Sequence, residues 1–173
     1  MRTDTVTVEI KTADQMHDFG VQLGRVLRAG DLLLLTGELG AGKTTLTRGI
    51  GEGLNVRGPV TSPTFVLART HPSLNGGPQL VHIDAYRLGD SSELEDLDID
   101  FKNAVVVAEW GAGLVDEEAV ALEIVIHRPV GAATEASAAA DDMELVEPRL
   151  LEITGVGERW QSVDFAAIAA EEN

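Results

Sequence analysis

The stretch Gly37-Glu38-Leu39-Gly40-Ala41-Gly42-Lys43-Thr44 lies between the apolar run Leu32-Leu33-Leu34-Leu35 and the helix-like Thr45-Leu46-Thr47-Arg48-Gly49-Ile50. Nothing else in the chain constrains the fold as strongly. The pattern G-x-x-x-x-G-K-[ST] needs a strand before it and a helix after it, because its glycines turn successive backbone N–H groups inward at a helix N-terminus, forming an anion-sized hollow. Both flanks are present. Glu38, Leu39, Gly40, Ala41, Gly42, Lys43, Thr44 and Thr45 are therefore the expected phosphate-binding residues. Lys43 reaches the β- and γ-phosphates of a nucleoside triphosphate, and Thr44 offers its hydroxyl to Mg²⁺. The fold class this predicts is α/β: a three-layer P-loop NTPase-like arrangement with a central, mainly parallel sheet flanked by antiparallel edge strands.

The rest of the chain can be laid around that unit. Thr5 to Ile10 alternates β-branched and polar residues, as an edge strand with one wet face would. Thr12-Ala13-Asp14-Gln15 matches a capping box, and Met16, Phe19, Leu23, Val26 and Leu27 recur at helical spacing until Gly30-Asp31. The leucine run shows no alternation, the mark of a strand covered on both faces. The helix after the P-loop fades at Gly51 to Gly53, and the prolines of Gly58 to Phe65 exclude a helix there. Phe65 to Arg69 reads as a short strand, His71 to Pro78 as a turn-rich loop and Gln79 to Ile83 as a strand ending at Asp84. Ser92-Glu-Leu-Glu95 is a second capping box, opening a short acidic helix through Leu97, and Asp96, Asp98 and Asp100 read as a solvated face. Ala104 to Ala108 is an apolar strand delivering Glu109-Trp110. The alternation from Val120 to His127 suits an antiparallel flank better than the centre, with Leu150 to Thr154 beside it. Pro129 to Pro148, rich in alanine and acid without an apolar anchor, reads as a mobile loop or, by alanine propensity, a short helix. Val163 to Ala170 reads as a terminal helix. No internal repeat or linker marks a second domain, so residues 1–173 are expected to form one.

The chain has no cysteine, which excludes disulfide frameworks, thiolate metal sites and cysteine nucleophiles and suits a cytoplasmic location. Its apolar runs fall far short of the roughly 20 residues a bilayer span needs, so a soluble protein without membrane association is expected. A net charge of −16 repels polyanions, and any RNA contact is expected to run through partners.

Binding a nucleotide is not yet turning it over. Hydrolysis also needs a carboxylate that orients the metal and a group that positions the attacking nucleophile. Asp84 and Glu109 both close apolar strands, at the edge where open α/β sheets bind ligands, and either could take either role. Thr61, Ser62 and Thr64 occupy a proline-stiffened loop where switch segments meet a γ-phosphate, although an ordinary turn would use the same residues. His82, inside a strand, reads as a packed residue rather than a base, and Trp110 as a core or partner-lining aromatic.

These blocks together, Gly37 to Thr45, Thr61-Ser-Pro-Thr-Phe65, His82-Ile-Asp-Ala-Tyr-Arg-Leu88 and Glu109-Trp110, resemble the ordered signature of the TsaE family, the P-loop ATPases of bacterial tRNA threonylcarbamoyladenosine synthesis. The likeness spans most of Val6 to His127. It implies an ATP- and Mg²⁺-dependent ATPase that acts with other threonylcarbamoyl-transfer proteins, of TsaD and TsaB type, on adenosine 37 of tRNA, with the RNA held mainly by those partners. It further implies that Lys43 and the loop amides bind phosphates, Thr44 and Glu109 serve Mg²⁺ and Asp84 supports hydrolysis. Thr61 to Thr64 would form a switch-like segment, and Trp110 would be functional. Gly111-Ala112-Gly113 stands where family members often carry a further acid, and Pro129 to Pro148 is longer than the usual connection. Two other functions fit a P-loop: a small-molecule kinase, which would need an acceptor pocket and a basic lid, and a nucleotide-switched binding module with negligible turnover.

Overall fold

The computed structural model describes residues 5–37, 42–58, 68–84, 101–109, 120–127 and 148–170. The leucine run forms the sheet's central strand, β2 (Leu32–Gly37). Leu33 and Leu35 pack with Phe19, Leu23, Leu46 and Ile50, while Leu32 and Leu34 pack with Val81, Ile83, Val106 and Val120 on the other face. A strand buried on both faces cannot alternate, which is why this one reads as continuous leucine.

Around it stand β1 (Val6–Ile10), β3 (Ala68–His71), β4 (Gln79–Asp84), β5 (Ala104–Glu109), β6 (Leu122–His127) and β7 (Arg149–Gly155), in the spatial order β1-β7-β6-β2-β5-β4-β3. The four central strands, β6, β2, β5 and β4, are mutually parallel, and the outer pairings β1/β7, β6/β7 and β3/β4 are antiparallel. The expected mixed α/β class with a parallel centre and antiparallel edges is thus observed. One placement differs. The Val120 to His127 strand is no flank: β6 lies directly against β2, Leu33 opposite Leu122, and joins β7 on its other side. Its alternation reports that only Leu122, Ile124 and Ile126 face the helical core, while Glu123, Val125 and His127 are partly or fully exposed.

Helix α1 (Ala13–Val26) opens as its capping signal predicts, the Gln15 N–H donating to Thr12 Oγ1 at 3.0 Å. The return bond differs from the standard box, because Gln15 Oε1 accepts from the N–H of Lys11, at 2.7 Å. Helix α2 (Lys43–Leu54) runs past its glycines and stops at Asn55, whose φ of 61° ends it in a left-handed cap. The expected terminal helix starts later than its sequence suggests. A 3₁₀ turn (Glu158–Ser162) precedes α3 (Phe165–Ala170), and Trp160 stacks on Phe165.

At the foot of β2 the chain is locked by charge. Arg159 donates two bonds to Asp31, both 2.7 Å, and a third to the Val26 carbonyl, while its guanidinium lies 4.2 Å over the Trp160 ring. Asp31 also accepts from the Arg28 N–H at 2.6 Å. The acidic helix at Ser92 to Leu97 and nearly all of the Pro129 to Pro148 segment lie outside the described residues. Among those described, no helix is long and apolar enough to cross a membrane.

Candidate nucleotide site

The site is built where β2 hands over to α2. Gly42, at the α2 N-cap, has φ 111°, a conformation that suits glycine, and no side chain caps the helix. The N–H groups of Lys43, Thr44 and Thr45 thus occupy the first turn, where intrahelical acceptors are lacking. The first helical bond runs from the Leu46 N–H to the Gly42 carbonyl, at 2.9 Å.

Lys43 is only 8% exposed, and its ammonium donates to the Gly37 carbonyl at 2.5 Å, reaching back from helix to strand. Burial pulls its pKa below the usual lysine value, and the nearby charges of Glu109 and Asp84 partly offset that. The sheet explains the convergence. On three adjacent parallel strands, Leu35 of β2 pairs with Glu109 of β5, which pairs with Asp84 of β4. Leu33 and Leu35, Val105 and Val107, and Leu80 all pack in the cluster with α2, so by strand alternation Gly37, Glu109, His82 and Asp84 turn toward the same helix-covered face. Two strand-end carboxylates and one buried cation are thus brought to one edge of the sheet.

His82 is fully buried, as expected of a packed residue, but it is not merely packed: its Nε2 hydrogen-bonds Glu109 Oε2. That contact depends on the β4/β5 register, and only knowledge that the two strands are neighbours could have revealed it. A second feature missed in the sequence is the paired spacing Gly20-x-x-x-Gly24 in α1 and Gly49-x-x-x-Gly53 in α2. A Cβ on Gly20 would lie 2.4 Å from the Leu46 carbonyl oxygen, and one on Gly49 only 2.2 Å from that of His17. The two helices therefore touch backbone to backbone. His17 Nε2 contacts Glu52 Oε2 at 2.7 Å beside this seam. The repeated four-residue glycine spacing was the available signal, and its meaning required knowing that the helices pair.

Of the expected site residues, the structure assembles Lys43, Asp84 and Glu109 and places Thr44 and Thr45 on the first turn of α2. Glu38, Leu39, Gly40, Ala41, Thr61, Ser62, Thr64 and Trp110 lie outside the described residues. Among the described residues no group of three or more histidines and carboxylates could hold a metal ion. The donors near the P-loop helix, a threonine hydroxyl and two carboxylates, are hard oxygens. Such a set suits Mg²⁺, which takes one or two protein carboxylates and leaves its other positions to water and phosphate.

Comparison with known proteins identifies the family. The family model described as threonylcarbamoyl adenosine biosynthesis protein TsaE matches residues 10–133. A protein of Streptomyces coelicolor named tRNA threonylcarbamoyladenosine biosynthesis protein TsaE is 52% identical over 158 residues, covering 89% of this chain and 99% of the relative. A Mycobacterium tuberculosis protein of the same name is 46% identical over 142 residues, 74% of this chain and 84% of its own. The crystal structure of Bacillus subtilis YdiB superposes with a TM-score of 0.64 at 28% identity, covering 93% of this chain and 91% of that one. With the family model spanning most of the chain and relatives this similar along nearly their full length, the chain belongs to the TsaE family.

Proposed function

We propose that this chain is a Mg²⁺-dependent ATPase required for threonylcarbamoyladenosine modification of tRNA, working in the cytoplasm with TsaD- and TsaB-type partner proteins that hold the RNA. The observation that carries the reading is the convergence of Asp84 and Glu109 on the buried ammonium of Lys43, which donates to the last carbonyl of the P-loop strand. The names of the relatives support the pathway, and the P-loop sequence supports the nucleotide.

In this reading the amides at the α2 N-terminus bind phosphate oxygens, and Lys43 turns its donors from the Gly37 carbonyl to the β- and γ-phosphates. Thr44 and Glu109 hold Mg²⁺, which when bound neutralises charge on the phosphate oxygens. Asp84, next to Glu109 in register, orients the attacking water. The Thr61 to Thr64 segment senses the nucleotide state, and Trp110 serves the partner side. A net charge of −16 supports leaving the tRNA to other subunits.

The test combines the chain with its partner proteins and tRNA. Wild type should hydrolyse ATP faster with partners than alone and support tRNA modification. Lys43→Ala and Glu109→Ala should each cut both activities by about 10²-fold or more, the usual scale for removing a preorganised charge-stabilising group. Vigorous phosphoryl transfer to a small metabolite by the isolated chain would replace the reading with a kinase. Full tRNA modification by both variants would replace it with a nucleotide-independent scaffold.

A further inference from the structure

We propose that His82 is a positioning residue for Glu109: its Nε2–H pins Oε2 and so presents Oε1 to the nucleotide. The inference rests on Glu109 being part of the nucleotide site, as argued above. His82 lies in the middle of β4, its backbone paired with Arg69 of β3 on one side and Val107 of β5 on the other, and its side chain is wholly excluded from solvent. Its neighbours Val81 and Ile83 are anchored in the core on the opposite face. The ring is therefore held by the sheet itself, and its one hydrogen bond among the described residues ends on a strand-end carboxylate.

The chemistry of the contact is directional. A carboxylate only accepts, so Nε2 carries the proton, and Nδ1 is left buried without a partner among the described residues. A bare lone pair there costs less than an orphaned N–H, yet it still costs, and a leucine in the same core position would avoid the cost entirely. Packing alone thus does not account for a histidine at this place, whereas the need to hold Glu109 does. Fixing an otherwise unrestrained glutamate costs side-chain entropy, and His82 meets that loss in the fold, before any nucleotide arrives. With Nε2 engaged by Glu109 and the ring sealed from solvent, His82 acts through the carboxylate and does not touch substrate.

The experiment compares His82→Leu with His82→Gln, whose amide N–H reaches to about the same place. His82→Leu should lower partner-stimulated kcat roughly 10–100-fold, the scale found when an orienting partner is removed. KM for ATP should stay within about two-fold, since the interaction is realised in turnover rather than in binding. His82→Gln should recover most of the rate. Independently of activity, long-range ¹H–¹⁵N spectra of the wild-type chain should show a slowly exchanging proton on His82 Nε2 that loses protection in Glu109→Ala. The proposal is overturned if His82→Leu keeps wild-type kcat, if His82→Gln falls as far as His82→Leu, or if the proton resides on Nδ1. Should His82→Leu not fold, the spectra and His82→Gln still decide. If Lys43→Ala and Glu109→Ala abolish turnover while His82→Leu does not, the nucleotide-site reading stands and only the role of His82 fails.

Discussion

The two ends of β2 each carry buried charge, and they are finished in opposite ways. At the foot, Asp31 and Arg159 meet through two parallel bonds, with the Arg28 N–H, the Val26 carbonyl and the Trp160 face completing the set. At the head, a lysine is buried far enough to lower its pKa although two carboxylates act on it. The foot spends its polar groups on one another and holds the chain together. The head instead buries a cation at a solvation cost that its two carboxylates only partly offset, which is how sites that must bind and release charge are commonly built.

Four measurements sharpen or break that contrast. The largest effect should come from Arg159→Ala, which leaves a mostly buried Asp31 carboxylate without its cation. Breaking a buried pair costs about 3–5 kcal/mol, and with the Arg159 side chain 30% exposed the low end applies, a fall in Tm of roughly 6–12 °C by calorimetry. Its mirror is Lys43→Met, which should lose no stability at pH 7. The folded-state pKa of Lys43 lies below the ordinary lysine value of 10.5, so the folded chain binds fewer protons than the unfolded one in that window, and stability rises with pH through it. At neutral pH the buried ammonium is a cost that methionine removes. If Lys43→Met is as damaging as Arg159→Ala, the two ends are alike and the contrast is wrong.

Next comes Gly49→Ala, which forces a methyl against the His17 carbonyl at a separation no side chain adopts. Overpacking of this kind costs about 2 kcal/mol, and because α2 begins with Lys43 the displaced helix should also weaken ATP binding, measured by titration calorimetry. Unchanged ATP affinity alongside lost stability would show that the head tolerates movement of its helix. The smallest effect concerns His71, buried beside His82 on the same side of the sheet. Burial lowers its pKa, a hydrogen bond to the Arg57 backbone opposes this, and the Arg69 charge adds to the lowering. The folded chain therefore binds fewer protons than the unfolded chain just below pH 6.5, and stability is lost as pH falls through that window. His71→Gln should flatten the acid limb of a denaturation series by at most about 1.4 kcal/mol per pH unit. An unchanged limb would assign the acid sensitivity elsewhere.

What could be read from the chain depended on how local its cause was. The leucine run, the Thr12 cap and the carboxylates closing β4 and β5 are written in adjacent residues, and so were legible. The role of β6 was half legible: its alternation gave the strand but not its neighbour, because one buried face is compatible with either an edge or an inner position. His82 and Glu109 stand 27 residues apart, and no pattern joins them. The same holds for the glycines of α1 and α2, whose spacing is visible in each helix while the backbone contact exists only between them. Residues that meet through register or helix crossing leave no mark in one sequence.

The strand order also sets a timetable. Among the described residues β1 finds its only strand partner in β7, where Thr5 bonds Thr154 across 149 residues, and Asp31 waits through 128 residues for Arg159. At ribosomal rates of about 5–20 residues per second, that delay is on the order of ten seconds. Throughout it β1 lacks its partner β7, and Asp31 at the foot of β2 lacks Arg159. The edge that carries Lys43, Asp84 and Glu109, built on β2, β4 and β5, can take shape earlier. A nascent chain stalled just after β6 would therefore present the proposed phosphate-binding centre on a sheet still missing one side, open to whatever extended segment reaches the unpaired edge of β6 first.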